Sequence, residues 1–271
     1  MSTVTASVLV QENQPAGVPP LPLTGERTLP DVPAENYWYR RHLAVYEWIA
    51  GQTGGTRMLD LGCGEGYGAA TLALGDAVSV VGVDANPEAY EHARLRYTEP
   101  GLRFERGLVE TWGAPGTFDV ITFLQTVEHV QDPVAVLSHV SELLAPAGVA
   151  YISTPNLLRI APLGAKKSDN PWHLREYKAD EFRELCDSVF PSVRMYGIYH
   201  AGWLRIHENA LRAGWDRIHR RLRISRVFYD RFVPAIRTQD FELSEVNPLY
   251  RALDFLAVCS LAPFDARFGP D

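Results

Sequence analysis

The chain of 271 residues is poor in cysteine and has no long apolar run. Its three cysteines, Cys63, Cys186 and Cys259, are odd in number and widely spaced, which argues against a disulfide framework and against a zinc cluster. Reduced thiols in a cytoplasmic setting are the expectation. No stretch approaches the ~20 uncharged apolar residues of a membrane span. The opening residues, MSTVTASVLVQENQPAG, lack the basic start and apolar stretch of a secretion signal. A basic excess is also missing. Lys and Arg number 26 against 33 Asp and Glu, a net charge of −7, so a protein held on nucleic acid by bulk electrostatics is not expected. There is no internal repeat. What remains, 46% apolar and 22% charged residues, is enough for one α/β domain with a sizeable core and some decoration.

Residues 1–34 are rich in proline and poor in large apolar side chains, so they read as a mobile arm, or as a lid that orders on binding. An aromatic-rich helix follows, carrying Tyr37, Trp38, Tyr39, His42, Tyr46 and Trp48. Strand signals then lie at 57–61, 78–83, 103–105, 118–124, 149–153 and 193–198, with a last apolar run at 253–261. Helix signals separate them at 67–74, 87–97, 133–144 and 179–189. Strands alternating with helix-length segments predict βαβ units and a mostly parallel sheet covered on both faces. The core therefore spans 35–200. Residues 201–245 carry many arginines among aromatics, from Arg205 and Arg212 through Arg217, Arg220, Arg221, Arg223 and Arg226 to Arg231. They predict a helical insertion before the last strand, which lies with the tail in 246–271. The insertion reads as the solvated face of an amphipathic helix, as a contact in a homodimer, or as a strip for an anionic acceptor.

The strongest motif is LDLGCGEGYG (59–68), a strand that runs into a glycine-rich turn and then a helix. Gly62, Gly64 and Gly66 let the backbone turn tightly and approach a ligand where a Cβ would collide. Dinucleotide enzymes use such turns too. Here, however, Asp60 precedes the first glycine, where a carboxylate suits a cationic amino-acid group and not a pyrophosphate. Asp84 ends the next strand, placed to hydrogen-bond ribose hydroxyls.

With VVGVDANPEAYEHAR (80–94), FDVITFLQTVEHVQDP (118–133) and LLAPAGVAYISTPN (143–156), this motif resembles the class I S-adenosylmethionine (SAM) methyltransferases over roughly residues 40–200. The resemblance implies a Rossmann-like fold with a seven-stranded sheet and SAM as cofactor. It implies that Asp60 and the glycines meet the methionine part, and that Asp84 with Ala85 meets the ribose. Leu108 would lie by the adenine, where the family often has an acidic residue and this chain has none. Gln125 would face the sulfonium.

Methyl transfer needs little bond chemistry from the protein, because the sulfonium is already activated. The enzyme must hold acceptor and methyl in line, exclude water and remove a proton where the acceptor is a hydroxyl. Gln125, Glu128 and His129 stand at i, i+3 and i+4, so a helical turn would put them on one face, at the sheet's carboxyl edge. His173 follows in NPWH (170–173). The set resembles the Glu-x-x-Glu-His motif with a later histidine of small-RNA 2′-O-methyltransferases, and a related stretch in ubiquinone-pathway O-methyltransferases. That resemblance implies a Mg²⁺ or Mn²⁺ site on Gln125, Glu128, His129 and His173, with a neutral Gln125 where the motif has a glutamate. Without a metal, His129 is the candidate base and Glu128 the group that orients its ring.

TGER (24–27), ENYWYRRH (35–42) and NPWHLREY (170–177) together resemble actinobacterial, especially mycobacterial, methyltransferases linked to polymethylated polysaccharides. This implies a saccharide acceptor, a methylmannose- or methylglucose-polysaccharide precursor. Tyr37, Trp38, His173 and Asn156 would line its groove, Arg41 would close over SAM, and Glu26 and Arg27 would belong to the lid. Competing readings keep the fold and change the acceptor to a quinone, polyketide or other small hydroxyl compound, or to an RNA 2′-hydroxyl. A further reading is a SAM-binding protein without catalysis.

Overall fold

In the computed structural model, residues 9–162, 164–215 and 225–264 are described. The two ends of the chain and Arg217, Arg220, Arg221 and Arg223 of the predicted insertion lie outside them.

Eight strands form one sheet in the order β3-β2-β1-β4-β5-β8-β6-β7. They are β1 (Arg57–Leu61), β2 (Ser79–Asp84), β3 (Leu102–Arg106), β4 (Phe118–Leu124), β5 (Leu144–Pro155), β6 (Ser192–His200), β7 (Phe241–Ser244) and β8 (Asp254–Ser260). β1 to β5 pair in parallel, β8 runs antiparallel between β5 and β6, and β7 pairs antiparallel with β6. β1 pairs with β2 on one side and β4 on the other, so successive connections diverge there. A crevice opens at such a switch point, beyond the carboxyl ends of the strands.

The sheet thus has eight strands and not the expected seven. The extra one, β7, comes from residues that had read as helical insertion. Four residues, Phe-Glu-Leu-Ser, are too few for a period to show. They become a strand because Gly197 to His200 of β6 offer an open edge.

Helices α1 (Asn36–Ala50), α2 (Tyr67–Leu74), α3 (Pro87–Arg96), α4 (Pro133–Leu143), α5 (Leu157–Ile160), α6 (Ala179–Asp187), α7 (Gly202–Arg212) and α8 (Ser225–Ala235) connect and cover the strands. Their starts have local causes. The Asn86 carboxamide accepts from the Glu88 and Ala89 amides before Pro87, and Asp132 caps α4 in the same way before Pro133. The strands bury residues on both faces and make two cores. Leu59, Val81, Ile121 and Ile152 pack with α4 and α6. Met58, Val80, Val120 and Tyr151 pack with α1 and α2.

Residues 9–34, expected as a mobile arm or as a lid that orders on binding, form a strap packed over the glycine-rich turn. Leu21, Leu29 and Val32 make a small buried cluster of their own. Gln11 donates to Glu65 (2.9 Å), and His92 bridges Glu65 (2.8 Å) and the Pro19 carbonyl (2.7 Å). Cys63, Cys186 and Cys259 are free and buried. Among the described residues no helix is long and apolar enough to cross a membrane.

Candidate active site

β1 ends at Leu61, and the chain turns through Gly62 and Gly64, both with positive φ (79° and 56°). A Cβ on Gly62 would come within 2.8 Å of the Thr126 hydroxyl, and at Gly64 one would meet only the Arg27 Cβ, at 4.0 Å. Both glycines line a cavity of about 1110 Å³ between this turn, the ends of β2 and β4, and the strap. Gly66 does not. A Cβ there would strike Ala93 (2.8 Å) and Phe104, so this glycine serves the packing of α2 on α3 and β3.

Asp60 is fully buried beside Thr122 of β4. Its Oδ1 accepts from the Thr122 hydroxyl (2.7 Å) and the Tyr46 hydroxyl (3.0 Å), while its Oδ2 has no partner. Burial pushes its carboxyl up to about 7 against the opposing effect of those two hydrogen bonds. An orphaned buried carboxylate oxygen beneath the turn fits a site that takes a cation. Asp84, at the end of β2, lines the cavity with Ala85. It accepts from the Gly64 and Asn86 amides (2.8 Å each), which tie it to the turn and leave lone pairs for hydroxyl donors. These features fit SAM, whose sulfonium would supply the activated methyl group. Asp60 does not line the cavity itself, but with its partner Tyr46, which does, and with the turn it would hold the amino-acid end, and Asp84 the ribose. At the adenine side the lining residue is Val109. Leu108, expected there, is 59% exposed and outside the cavity.

At the end of β4 the predicted helical turn does not form across Gln125 to His129. Gln125 takes a left-handed backbone (φ 52°), and only Val127–His129 make a 3-10 turn. The Gln125 amide nitrogen is hydrogen-bonded to the Ser153 hydroxyl (3.0 Å). Glu128 is buried and accepts from the Thr154 hydroxyl (3.2 Å); burial pushes its carboxyl up to about 8. Glu128 does not orient His129. The His129 Nδ1 faces the Trp172 carbonyl (2.9 Å), which can only accept, so the ring proton sits on Nδ1 and Nε2 carries the lone pair. Burial also lowers the His129 pKa.

His173 is fixed in the same sense. Its Nδ1 donates to Glu176 (2.7 Å) and its Nε2 accepts from the Asn170 amide (3.0 Å). Glu176 also accepts from the Ser168 amide (2.7 Å) and hydroxyl, and so holds residues 168–173 in place. Burial raises the Glu176 carboxyl, but the hydrogen bonds from Ser168 and His173 outweigh it and leave it below its ordinary value. Ligand atoms of Glu128, His129 and His173 come within 4.8 Å of one another.

Three other expectations are corrected. Arg41 does not face the cavity. Its guanidinium is buried in an ion pair with Asp254, and Asp254 is the partner that lines the cavity. Tyr37 donates to or accepts from His200 (2.8 Å) and packs edge-on to Phe241, away from the cavity. Asn156 is buried structurally: its amide donates to the Ala252 carbonyl (2.7 Å) and its oxygen caps α5. Trp38 does line the cavity. So do Glu35, Asp169 and Trp172, which sequence reasoning did not single out. Glu35 and Trp172 stood within quoted motifs without being named; Asp169, just before NPWHLREY, carried no periodic or motif signal.

The switch-point crevice, the glycine turn and the two aspartates at the ends of β1 and β2 define a class I SAM-dependent methyltransferase. Residues 35–195 match the family model described as a methyltransferase domain, and the chain belongs to that family. It is 35% identical over 255 residues to a probable S-adenosylmethionine-dependent methyltransferase of Mycolicibacterium smegmatis, covering 88% of this chain and 94% of that one. A Mycobacterium tuberculosis protein of the same description is 38% identical over 186 residues, 68% of this chain and 67% of its own. A ubiquinone biosynthesis O-methyltransferase of Vibrio campbellii is 36% identical over 154 residues, 50% of this chain and 63% of its own. Among solved structures, a SAM-dependent methyltransferase of Mesorhizobium loti superposes with a TM-score of 0.54 at 15% identity, covering 81% of this chain and 97% of that one. That likeness speaks for the fold alone.

Proposed function

We propose that the protein transfers the methyl group of SAM to a hydroxyl of an uncharged saccharide. The observation that carries this reading is the convergence of Glu128, His129 and His173 at the end of β4, in one cavity with Trp38 and Trp172. A saccharide hydroxyl is a poor acid and needs help to lose its proton. The His129 Nε2 lone pair, fixed by the Trp172 carbonyl, is the group to take it. Two half-exposed tryptophans at the rim suit the apolar faces of a sugar ring. In place of that base role, since the one His129 Nε2 lone pair cannot serve both, a divalent cation held by Glu128, His129 and His173 would supply Lewis-acid polarisation of the acceptor hydroxyl. His173 would free its Nε2 for that role only by releasing the Asn170 amide, and Gln125 would join the set only by leaving Ser153.

Charge supports an uncharged acceptor over RNA. Among the described residues the lining bears Glu26, Glu35, Asp84 and Asp169, besides the Asp254 paired with Arg41, against Arg27 as its one arginine or lysine. A polyanion gains nothing from such a wall.

A second reading, methylation of a small phenolic or quinol hydroxyl, draws on the likeness to the ubiquinone O-methyltransferase. Incubation with SAM and manno- or gluco-oligosaccharides, read by mass and NMR of the product, separates the two. A methylated sugar supports the first reading; transfer only to a phenol or quinol replaces it with the second.

A further inference from the structure

The methionine part of SAM carries an ammonium and a carboxylate. The acidic groups around the glycine turn suit the ammonium. A carboxylate brought into the same partly enclosed cavity needs a countercharge. The core does not provide one at the lining. Arg41 is consumed by Asp254, and burial lowers the pKa of His42 to about 4, so its ring is neutral. Among the described residues that line the cavity, Arg27 is the one arginine, and there is no lysine.

Arg27 is also in the right place. Its Cβ is the nearest atom to the open side of Gly64, at 4.0 Å from where a Cβ would stand. Its side chain is largely enclosed, and one terminal nitrogen pairs with Glu26 (2.7 Å). The remaining guanidinium donors are available for a planar two-point contact with a carboxylate.

The strap that carries Arg27 is fastened on both sides. The Thr28 hydroxyl meets the His42 Nδ1 (3.2 Å), and the Trp172 indole donates to the Thr24 carbonyl (3.3 Å). Farther back, Gln11 and His92 tie the strap to Glu65, a residue of the glycine turn itself.

We infer that Arg27 binds the carboxylate of the cofactor's methionine part, so that the N-terminal strap, and not the Rossmann-like core, supplies the cofactor's countercharge. The inference rests on the SAM dependence of the family and is independent of the acceptor.

The test is calorimetric binding of SAM and of decarboxylated SAM, which differ only in that carboxylate. Wild type should prefer SAM by at least about tenfold, or 1.4 kcal/mol. In Arg27→Gln the SAM Kd should rise by about that factor while the Kd for decarboxylated SAM stays within about twofold, so the preference collapses. Arg27→Lys, which keeps the charge, should retain much of it. A wild type that does not distinguish the two ligands overturns the inference without any variant. So does an Arg27→Gln protein that binds both as wild type does, or that loses both in parallel.

Discussion

The guanidinium of Arg41 and the carboxylate of Asp254 form an ion pair in the interior, each side chain only 3% exposed, that joins α1 to the first residue of β8. Asp254 lines the cavity and Arg41 does not. Removing Arg41 would leave a buried carboxylate uncompensated, which costs about 3–5 kcal/mol. Arg41→Ala is therefore expected to lose stability of that order in urea denaturation. The folded fraction should bind SAM within about threefold of wild type. An Arg41→Met, Asp254→Leu double variant should recover most of the stability, because similar apolar volume replaces both charges.

His129→Asn should lower kcat by about 10² to 10⁴, the usual range for loss of a general base, with the SAM Kd unchanged. EDTA separates two ways of working. If turnover stops in EDTA and Mn²⁺ restores it, a cation on Glu128, His129 and His173 takes part. Full turnover in EDTA leaves proton removal to His129.

Asp60 sets a pH dependence whose sign follows from its burial. Its carboxyl is raised from an ordinary 3.8 to about 7, so between those values the folded protein holds a proton that the unfolded chain has lost. Stability then falls as pH rises from about 4 to 7. Asp60→Asn keeps the acceptor for Tyr46 and Thr122 and should flatten that fall in melts taken across the window. SAM, being cationic near this site, should bind wild type more tightly as pH rises through 7, and that gain should vanish in the variant.

Gly68 does not line the cavity, yet Gly68→Ala should be costly. A Cβ there would lie 2.2 Å from the Tyr46 ring, whose hydroxyl holds Asp60. Overpacking of this kind costs about 1–3 kcal/mol. A loss of thermal stability together with weaker SAM binding is expected, the second because Tyr46 must move.

Much of this was readable along the chain. The strands 57–61 and 118–124 and the helix 67–74 stand at the residues their patterns predict, because short apolar runs bounded by glycine and proline specify local structure. The glycine turn and both aspartates were legible for the same reason: strand, turn and helix are contiguous, so motif and geometry coincide. Glu128, His129 and His173 were named as a set, and the structure brings their ligand atoms together.

Where contacts join distant parts of the chain, the pattern was silent or misleading. Arg41 read as a residue that closes over the cofactor because the resemblance carried by ENYWYRRH (35–42) implied it. Only the fold puts Asp254, 213 residues later, against it. Glu128 stood beside His129 and looked like its orienting partner, yet a carbonyl 43 residues on takes that place. β7 had too few residues to announce itself and forms because β6 leaves an edge open. The amino-acid sequence by itself determined the class of protein and its cofactor, since that chemistry is written in neighbouring residues. The tertiary structure decided which charges face the cavity and which are spent in the core, because a buried ion pair depends on two segments that sequence order does not bring together.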